Sequence, residues 1–141
     1  MAVNYQTSVL EEAAAVNKVA VYNIDHMAQL RFWGKDVAVV LNRALAGNLA
    51  EMKIGSCKYT LLLNEQGGVQ DDLIAMRISE LEYILVINAG HDITGKGISH
   101  GEETELIADI DRIMAVKLDG EEVCAEDISH TLVKVDVQGP Y

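Results

Sequence analysis

Two adjacent aspartates, Asp71 and Asp72, are the residues best suited by type and spacing to chemistry, and they follow a glycine pair at 67–68. Side chains alternate along a β-strand, so one carboxylate should face the core side and the other solvent; they should not act as an acid–base pair. One carboxylate facing a pocket could accept a hydrogen bond from a ligand nitrogen and hold that ligand. The simpler interpretation is an acidic pair that ends a turn on a solvated hairpin. Alternation alone does not select which aspartate would face a ligand.

The glycine pair and the histidines offer little further chemistry. Gly67 and Gly68 lie between two predicted strands, whereas phosphate-binding loops open onto a helix N-terminus, so a turn is predicted. No His-x-x-x-His or Cys/His cluster occurs, and the sequence therefore predicts no metal site. His91 and His100 fall in a glycine-rich stretch and are expected to be exposed to solvent. No Gly-x-Ser-x-Gly motif is present to indicate a nucleophile.

The charge balance excludes several classes of partner. The 141 residues carry 22 acidic and 11 basic side chains, for a net charge of −11. Such a surface repels phosphate backbones and anionic lipid, so neither nucleic acid nor a membrane is expected as a partner. No apolar run reaches the roughly 20 residues of a membrane helix, and no signal peptide is recognised. A cytoplasmic protein is the expectation.

The elements that must position these residues follow from capping and periodicity. Ser8 and Glu11 form a capping-box pattern, which predicts a helix over about 8–18. A second helix should begin at Asp36 and end before a C′ glycine at Gly47. A third is predicted over about 102–114, after a long surface loop at 90–101.

Strands are predicted mainly as hairpins. Their ranges are 19–24, 29–33, 59–63, 72–78, 83–88, 121–124 and 131–137. The second helix should bury one face, made of Val37, Val40, Leu41, Ala44 and Leu45. Hairpin strands with helices outside them indicate an α+β fold with a mainly antiparallel sheet and flanking helices.

Four segments carry a resemblance to a known family. They read Asn-Ile-Asp-His-Met at 23–27, Tyr-Thr-Leu-Leu-Leu-Asn-Glu-Gln-Gly-Gly-Val-Gln-Asp-Asp-Leu-Ile at 59–74, Val-Ile-Asn-Ala at 86–89 and Val-Gln-Gly-Pro at 137–140. In order and spacing they resemble the first, folate-binding domain of the glycine-cleavage aminomethyltransferase (T-protein) family and its folate-dependent relatives. The hairpin is the specific part, and 90–120 is the poorest match.

The resemblance implies a site and a reaction. It selects Asp72 as the catalytic carboxylate, beside the N10 region of tetrahydrofolate, and places Met27, Tyr59 and Asn88 in the folate site. The implied reaction moves a methylene group from an aminomethyl-lipoyl carrier protein to tetrahydrofolate, with release of ammonia. A carboxylate there would orient the folate and stabilise the positive charge that develops as ammonia leaves.

The sequence also departs from the family pattern. Asp25 replaces a serine before His-Met, and Met76 replaces a tyrosine after the aspartate pair. The family's opening segment and everything after Gln-Gly-Pro are missing, so residues 1–141 are expected to form a single domain truncated at both ends. Such a domain should expose apolar surface and self-associate, giving a homo-oligomer.

Two alternatives remain open at this point. One is a non-catalytic remnant that binds folate or associates with itself. The other is a folate-dependent methyltransferase or demethylase relative, which the retained segments do not separate from an aminomethyltransferase. Residues 55–59 only approximate the Lys-Gly-Cys-Tyr motif of iron–sulfur-linked relatives.

Overall fold

The computed structural model describes residues 17–99 and 102–140. The helix predicted over 8–18 lies outside the described residues, apart from a turn at 17–18, and His100 lies outside them as well. The chain divides into two compact units. The described residues of the first are 17–25 and 133–140, and those of the second run from 26 to 132, without 100 and 101.

The described residues form nine strands and two α-helices, joined by turns and loops. The strands are β1 (Ala20–Asn23), β2 (Gln29–Trp33), β3 (Cys57–Leu63), β4 (Val69–Ser79), β5 (Glu82–Val86), β6 (Gly95–Ser99), β7 (Glu102–Leu106), β8 (Cys124–Asp127) and β9 (Val135–Gln138). The helices are α1 (Val37–Ala44) and α2 (Asp109–Ala115), with a short 3-10 turn at Ser129–Thr131.

The first unit is built on a two-stranded antiparallel ribbon. Strand β1 pairs with β9 in a register that joins Ala20 to Gln138 and Asn23 to Val135. Both strands were predicted, although the last one is shorter than the predicted 131–137.

The second unit is built on a five-stranded antiparallel sheet. Its strand order is β3-β4-β5-β2-β8, and every neighbouring pair is antiparallel. One face of this sheet is buried under α1 and α2, and the other face is more open. The α+β prediction with a mainly antiparallel sheet is therefore confirmed.

Helix α1 supplies much of the core. The five residues predicted to share its buried face are all buried, together with Phe32 and Tyr83 on the sheet face beneath. Asp36 is the N-cap residue, as predicted, but its capping hydrogen bond and the predicted glycine stop are not formed. Asp36 makes no capping hydrogen bond; its Oδ2 instead accepts from the Glu122 N–H at 2.8 Å. Gly47 is not the residue after the cap, because Leu45 leaves the helix in an extended conformation and forms a bridge to the sheet.

Residues 90–114 differ most from expectation. The predicted long loop contains β6, which pairs with β7 as an antiparallel hairpin, and the predicted helix is only α2. The pairing brings the Leu106 side chain over Gly97, where an added Cβ would lie 2.7 Å from Leu106 Cδ1. Leu106 therefore packs across a hairpin rather than along a helix. Within α2, Ile113 is buried.

The strand predicted at 121–124 begins only at Cys124. The residues before it wrap around the start of α1, where the Asp36 N–H donates to the Glu122 carbonyl. Gly34 is required at this contact: its φ is +136°, and a Cβ there would lie 2.1 Å from the Glu122 oxygen.

Candidate functional site

The β3–β4 hairpin presents the aspartate pair. Its turn is fixed by Asn64, whose side-chain Oδ1 accepts from the backbone N–H of Gln66 and of Gly68. Gly67 adopts a φ of +79°, which favours glycine. The predicted turn is thus confirmed, and β4 begins directly after it.

Strand alternation separates the two carboxylates as predicted. Asp71 is 4% exposed and lies on the sheet face that the helices cover. Asp72 is exposed on the open face. Leu61, opposite Asp72 in the register, shares the open face.

Three of the four predicted site residues lie together on the open face. The Tyr59 hydroxyl donates to Asp72 Oδ2 at 2.9 Å, and Asn88 Nδ2 donates to Asp72 Oδ1 at 3.0 Å. Tyr59 reaches Asp72 diagonally across the strand pair, since Leu61 is the direct neighbour. The Asp72 hydrogen bond, with burial second, raises the pKa of the Tyr59 hydroxyl, so the phenol stays protonated and donates.

The fourth predicted residue, Met27, lies at the same end of the sheet. The Ile87 N–H donates to the Ala28 carbonyl at 3.0 Å, which continues the β2–β5 ladder one step past Gln29 and Val86. Met27 precedes Ala28 and Asn88 follows Ile87, so both residues come directly after the last hydrogen bond of this ladder. Met27 is half-buried, and its carbonyl accepts from the Gln29 side-chain amide.

Asn88 links the open face to the covered face. Its Nδ2 also donates to Asp71 Oδ1 at 2.8 Å, and its backbone N–H donates to Asp71 Oδ2 at 3.2 Å. The predicted strand 83–88 included Asn88. In the structure β5 ends at Val86, so Asn88 lies just beyond the strand. This position lets both its main chain and its side chain turn toward the aspartates.

Behind Asp71 lies a cluster that the sequence did not indicate. His91 was expected to be exposed, but it is half-buried between two carboxylates: its Nε2 lies 3.9 Å from Asp71 Oδ1, and its Nδ1 lies 3.5 Å from Asp109 Oδ1. Asp109 is fully buried at the start of α2. Burial, and then the neighbouring Asp71, raise the pKa of Asp109 to about 6 from an ordinary 3.8, while His91 opposes the rise. No spacing rule joins these residues, because three separate elements supply them.

A cavity of about 370 Å³ lies elsewhere, between the end of α1 and the β3–β4 hairpin. Arg43, Arg112 and Gln70 line it, and none of the four predicted site residues does. Arg43 is held there by paired hydrogen bonds to Glu121. The Tyr59–Asp72–Asn88 group is instead a shallow site on an open sheet face.

Comparison with known proteins identifies the class first. The solved structure of the glycine cleavage system aminomethyltransferase T from Bartonella henselae matches this fold with a TM-score of 0.76 and 29% identity. The match covers 96% of this chain and 33% of that one. The fold is therefore that of about one third of an aminomethyltransferase T protein.

Sequence comparison then gives the family. The sequence model of the GCVT N-terminal domain matches residues 1–141, and the chain belongs to that family. An aminomethyltransferase from a strain of Thermus thermophilus is 33% identical over 138 residues, covering 93% of this chain and 38% of its own length. One from Corynebacterium jeikeium is 36% identical over 91 residues, covering 64% and 23%. The chain thus spans well under half the length of these relatives. Among the described residues, no helix is long and apolar enough to cross a membrane.

Proposed function

We propose that this chain provides the tetrahydrofolate-facing surface of an aminomethyltransferase, which moves a methylene group from an aminomethyl-lipoyl carrier protein to the folate. The observation that supports the proposal is the convergence of Tyr59, Asp72 and Asn88 on the open sheet face. Family membership supplies the reaction class. The carrier protein and the folate belong to the proposal.

Asp72 is suited to act on a ligand nitrogen. Its two carboxylate oxygens each accept one hydrogen bond from the protein, and each oxygen has a further lone pair for a ligand N–H. Two neutral donors hold the carboxylate in place without neutralising its charge. The charge can then stabilise the iminium-like cation that develops as ammonia leaves, since preorganised charge acts without reorganisation during the reaction.

Tetrahydrofolate titration by calorimetry tests the binding step, using wild type, Asp72→Ala and the control Asp119→Ala, an exposed loop aspartate. A hydrogen bond to a charged group contributes roughly 1.5–3 kcal/mol, so Asp72→Ala should weaken binding at least about tenfold. Asp119→Ala should bind as wild type does. Absence of heat with wild type, or equal affinity in all three proteins, contradicts the folate proposal.

Ammonia release from an aminomethyl-lipoyl carrier with added tetrahydrofolate tests the transfer step. We expect release with wild type and loss of at least about 100-fold with Asp72→Ala, a typical effect of removing one electrostatic stabiliser. Folate binding without any ammonia release would instead support the non-catalytic alternative.

One observation favours that second candidate, a self-associating folate-binding domain. Three apolar residues of the β3–β4 hairpin are well exposed: Tyr59 at 64%, Leu63 at 37% and Val69 at 59%. Leu63 and Val69 are paired across the strands, and together with Tyr59 they are called the apolar strip of this hairpin. Light scattering at micromolar protein should show a dimer or larger species, reduced by Val69→Lys; a monomer at these concentrations rules out self-association through this strip.

A further inference from the structure

Asp71, His91 and Asp109 bring three potential metal ligands together. One ligand atom from each residue lies within 4.8 Å of the others. The residues come from β4, from the turn after β5 and from the first turn of α2, so the fold itself assembles the group. Two carboxylate oxygens and one imidazole nitrogen make up the donor set.

The Asp109 carboxylate lacks the partners that a buried charge requires. It is 0% exposed, and neither of its oxygens has a hydrogen-bond partner among the described residues. Two nitrogens approach Oδ1, His91 Nδ1 at 3.5 Å and Arg112 Nε at 3.9 Å, and neither forms a hydrogen bond with it. A buried carboxylate without partners is costly, and natural proteins pair such groups or use them to coordinate metals. This orphan carboxylate, directed toward His91, is an observation independent of the clustering.

Outer hydrogen bonds hold the Asp71 carboxylate and the backbone that carries His91. Asn88 donates to both oxygens of Asp71 through its backbone and its side chain. The Asp109 N–H donates to the His91 carbonyl at 2.8 Å, which ties the turn to the start of α2. Bonds such as those from Asn88 to the Asp71 carboxylate orient metal ligands and are characteristic of metal sites.

We propose that Asp71, His91 and Asp109 bind a divalent transition-metal ion of the Zn²⁺ or Mn²⁺ type. The imidazole favours these ions over Ca²⁺ and Mg²⁺, which prefer oxygen ligands alone. Bond lengths of about 2.0–2.2 Å require the ligand atoms to draw closer by about an ångström, which side-chain rotation can supply. The His91 side chain is 37% exposed, so the ion has a path from solvent.

The ion would join β4, the turn after β5 and α2 behind the open face. The ion would not contact Asp72, and the proposed transfer reaction does not require it. Metal binding and folate transfer can therefore succeed or fail independently.

Titration of the chelator-stripped chain with ZnCl₂ and with MnCl₂ tests the proposal, read by calorimetry and by thermal melting. The variants are His91→Ala and Asp109→Asn, and each has a matched control. His130→Ala changes another histidine, outside the cluster, and Asp111→Asn changes an exposed aspartate of the same helix. The controls matter because a chain with a net charge of −11 attracts cations non-specifically.

One equivalent of metal should bind wild type and both controls, with weakening of about tenfold or more in the two cluster variants. Circular dichroism without metal checks that the variants are folded; His91→Ala removes a partly exposed side chain and serves if Asp109→Asn does not fold. No binding to wild type at millimolar metal, or equal binding by His91→Ala and His130→Ala, overturns the site.

Discussion

Asn88 is the residue whose replacement should most disturb both faces of the sheet. Its Nδ2 donates to the buried Asp71 at 2.8 Å and to the exposed Asp72 at 3.0 Å. In Asn88→Ala, Asp71 keeps only the backbone N–H at 3.2 Å, while Asp72 keeps Tyr59. Because a hydrogen bond to a charged group contributes roughly 1.5–3 kcal/mol and the exposed one contributes less, the expected loss is about 3 kcal/mol.

The Asn88→Asp variant adds repulsion to the same loss. It places a third carboxylate beside two others, and unit charges about 4 Å apart near a protein surface repel by up to about 4 kcal/mol. At pH 7 this variant should be less stable than Asn88→Ala by at least about 2 kcal/mol. The difference should shrink as the pH is lowered toward 4, because protonation removes the third negative charge.

Urea unfolding followed by circular dichroism at pH 7 and pH 4 measures both effects in metal-free buffer. In a thermal melt of the same variant, a loss of about 3 kcal/mol of unfolding free energy lowers Tm by roughly 10 °C for a chain of this size. A loss below about 1 kcal/mol in Asn88→Ala would mean that water replaces the amide at little cost. An Asn88→Asp variant that tracks Asn88→Ala at both pH values would refute the like-charge argument.

Three further changes test the scaffold. Gly34→Ala should lower the unfolding free energy, measured by thermal melting, by about 3 kcal/mol or more, because its Cβ would lie 2.1 Å from a backbone oxygen. The control Gly67→Ala, also at positive φ but in open space, should lower it by only about 1 kcal/mol, and equal losses would contradict the clash. Tyr83→Phe should lower the unfolding free energy in urea by about 1–2 kcal/mol, since the buried hydroxyl donates to a backbone carbonyl at 3.0 Å. An unchanged free energy would mean that a water molecule replaces the hydroxyl as the donor. The Arg43 hydrogen bonds, followed by a backbone N–H, lower the pKa of Glu121 from 4.5 to about 2, so its stabilisation is present above pH 4.5 and is lost as the pH falls through about 2. Glu121→Gln should therefore lower Tm at pH 7 but not at pH 2, and a pH-independent difference would contradict the ion pair.

The hairpin and α1 could be predicted from the sequence because their signals are local. A glycine pair between two β-rich runs indicates a turn, and alternation then assigns opposite faces to Asp71 and Asp72. The apolar spacing of α1 likewise determines which side is buried. In each case the residues that carry the pattern also make the contacts.

Residues 90–114 could not be predicted in this way. The spacing of Leu106, Ile107 and Ile110 is also that of a helix, and nothing in it reveals that Glu102–Leu106 pairs with Gly95–Ser99. Strand pairing is a property of two segments, so a single-segment pattern that suits both structures favours the wrong one. The absence of a side chain at Gly97 was the available signal, since only a small residue fits beneath Leu106.

The residues of the candidate site also differ in whether a local sequence signal identifies them. Resemblance brought Tyr59, Asp72 and Asn88 to attention, because their motifs are contiguous. His91 and Asp109 belong to no motif, and only the return of the chain after the β6–β7 hairpin brings Asp109 beside His91 and behind Asp71. Sequence motifs for metal sites depend on the spacing of ligands within one segment of the chain. They therefore do not detect a site whose ligands come from three separate segments.

The two neighbouring aspartates thus have opposite environments with one amide between them. Asp72 faces the open side, where a ligand can approach, and Asp71 faces a buried carboxylate and a histidine. Because Asn88 donates to both, it links the two carboxylates in addition to the strand backbone that joins the two residues. The strand's two-residue period keeps the charges on separate faces, and Asn88 alone couples them among the hydrogen bonds of the described residues. Changes at His91 or Asp109 should therefore reach the open face through Asn88 and the strand backbone rather than through direct contact.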